Sequence, residues 1–70
     1  MNQLQNAIVN QTTSTLKTTF KALDDLITTK KMGVADLDAA LLVRKYMLQE
    51  LEVRDVEFVT AWYETKVVAA

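Results

Sequence analysis

The chain has 70 residues, half of them hydrophobic and 24% charged, with eight basic side chains against nine acidic. A domain of this size buries only about 60% of the surface its unfolded chain exposes, so its core is marginal. The sequence has no Cys to supply a disulfide framework or thiolate ligands. It also has no His, the commonest metal ligand and the usual acid–base group near neutral pH.

The net charge of −1 and the sequence pI of about 5.2 argue against a general affinity for phosphate backbones or anionic lipid. The balance is also too even for an acidic DNA mimic, and the apolar content is too high for a disordered chain. Met1-Asn2-Gln3 lacks the basic n-region and apolar h-region of a signal peptide. No apolar run approaches the ~20 residues of a membrane-spanning helix. The expectation is a soluble, cytoplasmic protein without membrane contact.

With no Pro and a single Gly, the chain has almost none of the punctuation a β-rich plan requires. The first predicted helix covers about 2–29. At ~100° per residue, Ile8, Val9, Thr12, Leu16, Thr19, Phe20, Leu23, Leu26 and Ile27 share one face. Asn6, Asn10, Ser14, Lys17, Lys21, Asp24 and Thr28 lie on the other. Its weak point is Gln11–Thr15, where hydroxyl and β-branched side chains lower helix propensity. A kink there, or a start as late as Ser14, is the alternative.

The turn falls at about 30–35, around Gly33. Lys30 and Lys31 suit the end of a helix dipole, and Gly33 is expected at the left-handed position that commonly ends helices. A Gly33→Val change is then expected to destabilise by more than ~1 kcal/mol. Asp36 is the expected N-cap of the next helix, with Asp38 adding charge to its first turn.

The second predicted helix covers about 36–66. Its main stripe is Leu37, Leu41, Leu48, Leu51, Phe58, Val59 and Trp62. A second apolar set, Leu42, Tyr46, Val53, Val56 and Tyr63, lies well round the cylinder, as in a helix buried on more than one side. Glu50, Arg54 and Glu57 have the spacing of i,i+4 and i,i+3 pairs on a solvated edge. Val53–Val59 also admits a strand by its Val and Phe content, but Val59 breaks the alternation.

The expected fold is therefore all-α, an antiparallel two-helix hairpin, kinked or split into three helices in its variants. Two helices cannot enclose a core, so the hairpin is expected to self-associate into a bundle. Charge divides accordingly, +2 up to Gly33 (four Lys, two Asp) and −3 beyond it (four Lys or Arg, seven Asp or Glu).

Catalytic readings find no support. Ser14 is the only serine and has no His or Cys to work with. Asp24-Asp25 and the set Glu50, Glu52, Asp55 and Glu57 read as solvated helix faces rather than as convergent ligands. No phosphate-binding loop, EF-hand or Glu-x-x-His pair is present, so neither metal nor cofactor is expected. Lys30-Lys31-Met32-Gly33-Val34-Ala35 resembles the turn of a helix-turn-helix over six residues. Asp36 and Asp38 would then meet DNA where its backbone repels them, which argues against a DNA-binding regulator.

The expected function is protein–protein contact, as a regulator, adaptor or inhibitor of another protein. The alternative is a structural subunit repeated in a filament, ring or shell. The candidate interface is Leu37, Leu41, Arg44, Tyr46, Leu48, Leu51, Asp55, Phe58, Trp62 and Tyr63. Arg44 and Asp55 are opposite charges on an apolar stripe. A hairpin places Arg44 opposite Thr19–Ala22 and Asp55 opposite Val9 or Asn10, with no dependable partner for either. A twofold axis between Gln49 and Glu50 would instead pair Arg44 with Asp55 of a second copy, and Leu37 with Trp62.

Overall fold

The computed structural model describes residues 2–30 and 32–69, with side chains through Lys66. All of its regular structure is helical, in four segments rather than two. They are α1 (Gln3–Val9), α2 (Thr13–Thr28), α3 (Val34–Arg54) and α4 (Val56–Ala69). The two-helix hairpin is thus corrected: each predicted long helix is cut once, and local capping chemistry explains both cuts.

The first cut falls in the hydroxyl-rich stretch. Thr12 Oγ1 accepts from the Thr15 N–H at 3.2 Å, so the run that weakens a continuous helix supplies the N-cap of α2. α1 is closed at its start by a reciprocal pair. Asn2 accepts from the Gln5 N–H, and the Gln5 side chain accepts from the Asn2 N–H. Seven residues do not hold a helix in water unaided. α1 depends on what it packs against.

The second cut is at Asp55, inside the segment whose composition also admitted a strand. There is no strand among the described residues. The Asp55 N–H donates to the Leu51 carbonyl and closes α3, while its carboxylate accepts from the Phe58 N–H and opens α4. One residue ends one helix and caps the next, and the chain folds back on itself there.

The turn before α3 also differs from expectation. Gly33 is not left-handed: at φ −68° and ψ 166° it is the N-cap of α3, with nothing within 4 Å of where a Cβ would stand. Asp36 lies in the first turn of α3 instead of capping it. The left-handed residue is Lys30, at φ 56°, whose N–H reaches the Ile27 carbonyl in the manner of a Schellman turn.

α3 is the central helix, packed against α1, α2 and α4. α2 and α4 run parallel to one another and antiparallel to α3. Their side chains meet at a constant offset of 38 residues: Lys17 with Asp55, Asp24 with Trp62, and Thr28 with Lys66. The core draws on all four helices through Ile8, Leu16, Phe20, Met47, Leu51 and Val59. Phe20, 1% exposed, receives Phe58 and Trp62 edge-to-face at 5.7 and 5.5 Å between ring centroids. The Cα envelope is flattened, 29 × 28 × 17 Å.

Two outcomes follow at the α2–α3 turn. Lys30→Gly removes left-handed strain of ~1–2 kcal/mol but adds freedom to the unfolded chain, and is expected to stabilise by about 0.5–1 kcal/mol in urea denaturation. Gly33→Val, strained in a left-handed turn, is expected to cost less than about 0.5 kcal/mol, because the site is open and its φ is ordinary.

Candidate functional site

Three polar nodes hold the helices at fixed positions, and together they define the outer surface. Asp24 of α2 accepts from Arg44 Nη1 at 2.8 Å, from Trp62 Nε1 at 2.9 Å and from Lys66 Nζ at 3.2 Å. Burial pushes its carboxyl pKa up, but the hydrogen bonds from Trp62, Lys66 and Arg44 outweigh burial and hold it below 3.8. Asp55 is likewise held below its usual value, by Lys17 first and then by the Phe58 N–H.

Arg54 forms the third node. It pairs with Glu50 at 2.8 Å, as the i,i+4 spacing anticipates, but the pair does not lie on a solvated edge. The guanidinium also donates to the Val9 carbonyl at 2.6 Å and the Gln11 carbonyl at 2.7 Å. A cation of α3 thereby satisfies carbonyls at the end of α1 and in the loop that follows.

The side chains expected to form one interface are divided by the break at Asp55. Leu51 is fully buried in the core and cannot meet a partner. Arg44 and Asp55 both have partners within the chain, Asp24 and Lys17, so no second copy is needed to satisfy them. Arg44 reaches Asp24 rather than the expected Thr19–Ala22. That removes the reason for a twofold between Gln49 and Glu50. Tyr46 packs beside α1, and Phe58 lies beneath the ammonium groups of Lys17 and Lys21. Leu37 is half-buried.

Five of the expected residues do converge. Leu41, Arg44, Leu48, Trp62 and Tyr63 line an open groove of about 420 Å³ between α3 and α4, with Lys45, Gln49 and Glu52 on its α3 side. Trp62 also lines a groove of about 510 Å³ between α2 and α4, over Phe20, Phe58 and Ala61. The indole therefore separates the two grooves. Arg44 and Lys66 stand 5.3 and 5.5 Å from its ring centroid, and Tyr63 packs against it at 4.8 Å. Asp24, read from the sequence as part of a solvated helix face, is instead part-buried and paired. Lys66 and Lys17 were not singled out, because their partners lie across a parallel register that no local spacing reveals.

Among the described residues, no three His, Cys, Asp or Glu converge as metal ligands. No helix among them is long and apolar enough to cross a membrane. Comparison with protein-family models, with characterised proteins and with solved structures gave no match.

The Asp24 node carries its own pH dependence. A carboxyl more acidic folded than unfolded contributes stability that is fully present above its unfolded pKa and is lost as pH falls through the folded one. Fluorescence of Trp62, the sole tryptophan, is expected to be constant from about pH 7 to about pH 5 and to change below about pH 4. Asp24→Asn should lower stability at neutral pH by about 1–3 kcal/mol, by leaving part-buried Arg44 without its counter-ion, and should flatten the acid limb.

At the Arg54 node, Arg54→Lys leaves a point charge that cannot bridge both carbonyls and Glu50. Amide exchange in α1 is expected to accelerate by more than about tenfold, the equivalent of one lost charged hydrogen bond, while that of α3 changes little.

Proposed function

We propose that this chain is a small helical protein–protein interaction module that acts as a regulator or adaptor, and that it works by contact rather than by catalysis. Its contact surface is the outer side of α3 with the groove that α3 shares with α4. The observation that carries this reading is the grouping of four incompletely buried apolar side chains around one groove. Leu41 and Tyr63, 38% and 54% exposed, face one groove together with half-buried Leu48 and Trp62. Leu42 is 46% exposed on the neighbouring strip of α3.

Aromatic and leucine side chains gathered around a groove, with two cations, one carboxamide and one carboxylate at its margin, match the anatomy of a protein contact site. The ligand such a surface suits is an amphipathic helix laid along α3. The Arg44–Asp24 pair and the Trp62–Asp24 bond hold the floor before a partner arrives, which lowers the ordering cost of binding.

The test compares capture from extracts of the source cell by the wild-type chain, Leu41→Glu and Tyr63→Glu. A protein retained by the wild type and lost from both variants, with helicity unchanged by circular dichroism, is the expected result. Equal retention by all three places the contact elsewhere and overturns the reading.

A further inference from the structure

From the exposed face of α3, we propose that the helix laid along this surface is α3 of a second copy, crossing antiparallel about a twofold axis between Leu41 and Leu42. This deepens the interaction-module reading and rests on it. At ~100° per residue, Leu41 and Leu42 flank a narrow face whose midline carries Asp38 one turn before them and Lys45 one turn after. All four are exposed, and neither Asp38 nor Lys45 makes an ion pair among the described residues. Among the described residues these charges are unpaired, unlike those at Asp24, Asp55 and Arg54.

The twofold follows from testing the registers this face allows. Glu52 continues the charged line, so it reads minus, plus, minus at intervals of seven residues, Asp38, Lys45 and Glu52. A parallel, in-register pair sets each charge against itself. An antiparallel pair centred on Lys45 opposes the two lysines and sets Asp38 against Glu52. An axis between Leu48 and Gln49 pairs Lys45 with Glu52, but it mixes two glutamines with two half-buried Leu48 side chains at the centre and leaves the exposed Leu41 and Leu42 at the periphery. An axis between Leu41 and Leu42 brings four leucines to the centre and flanks them with two Asp38–Lys45 pairs, one on each side. It also lays Val34, which is 80% exposed, toward Gln49 of the other copy. One register satisfies apolar contact and charge together, as an isologous interface requires. Tyr63 shares the groove with Leu41 and Lys45, and it screens the leucine cluster from water on the α4 side.

A single helix-to-helix face buries less than the ~1,200 Å² of a standard stable interface, so the dimer belongs in the micromolar range. The contact is closed: the twofold uses the patch on both copies and offers no free end for a filament.

Sedimentation equilibrium from about 10 to 500 µM, the range a weak interface of this size implies, tests the proposal on the full chain. Wild type should pass from monomer to dimer. Lys45→Asp and Asp38→Lys should each raise Kd by about tenfold, since each places like charges at two sites. The double variant Asp38→Lys with Lys45→Asp keeps the net charge of the wild type and should bring Kd back to within about threefold of it. Neither side chain makes an ion pair among the described residues, and circular dichroism of each variant is the control for folding. A wild type that stays monomeric, a double variant no tighter than the singles, or growth beyond a dimer overturns the proposal. If the wild type stays monomeric while capture from extract still depends on Leu41 and Tyr63, the second copy is the error and the interaction-module reading stands. If capture is also indifferent to both residues, the two fail together.

Discussion

One carboxylate, Asp24, fixes the arrangement of the three longer helices. It projects from α2 and takes a donor from α3, through Arg44, and two from α4, through Trp62 and Lys66. A partly buried carboxylate without these partners would be costly, so each donor helps to hold α3 or α4 in place against α2. This links the helix positions more tightly than the apolar core alone, because side chains of similar volume tolerate small slips that hydrogen-bond geometry does not. Trp62 shows the coupling most clearly. Its ring packs on Phe20 while its N–H is spent on Asp24, so the indole has one orientation that satisfies both.

The parallel register of α2 and α4 follows from the same constraint. Asp55 joins α3 to α4 without an intervening loop, so the path of α4 is set by where that residue is held. Lys17 holds it from α2, and four residues of the ladder then meet their partners along one line: Lys17 with Asp55, Phe20 with Phe58, Asp24 with Trp62, and Thr28 with Lys66. The steps of three and four residues match the rise of neighbouring turns on both helices. Ion pair, aromatic pair, indole–carboxylate bond and hydroxyl–ammonium bond follow in sequence along the seam, so polar and apolar contacts reinforce one register. At the opposite end, Arg54 secures α1, whose seven residues lack the length to persist alone.

The helical class and much of the core were legible in the sequence, because Ile8, Leu16 and Phe20 repeat at helical spacing and no competing turn signals exist. The division into four helices was less so. The weak stretch at Gln11–Thr15 was visible as low propensity, and Thr12 converts that weakness into a cap. Asp55 gave no comparable signal. An acid inside an apolar run reads equally as an interface charge, and only its bond to the Phe58 N–H identifies it as a boundary. Once α4 turns back, periodicity counted through residue 55 no longer describes one face. That is why Leu51 and Trp62, on one predicted stripe, have different surroundings, and why buried Met47 fell outside it. Gly33 misled for a related reason: glycine permits a left-handed turn but does not require one, and Lys30 takes that conformation three residues earlier.

The surface charges fall into two physical classes, and the distinction explains what α3 presents to its surroundings. Arg44, Arg54, Lys17, Lys66, Asp24, Glu50 and Asp55 are engaged across or along helices, mostly at part-buried positions where a missing partner leaves a desolvated charge. Asp38 and Lys45 are exposed and make no ion pair among the described residues. Exposed pairs add little to stability even when formed. Their physical value lies in discrimination: at an interface, misplaced like charges penalise wrong registers more than correct pairs reward the right one. A leucine patch without such charges would accept many apolar helices in many orientations. Bracketed by one acid and one base a heptad apart, the same patch favours an approaching helix that offers the reverse order of charge, which α3 itself does when turned end for end.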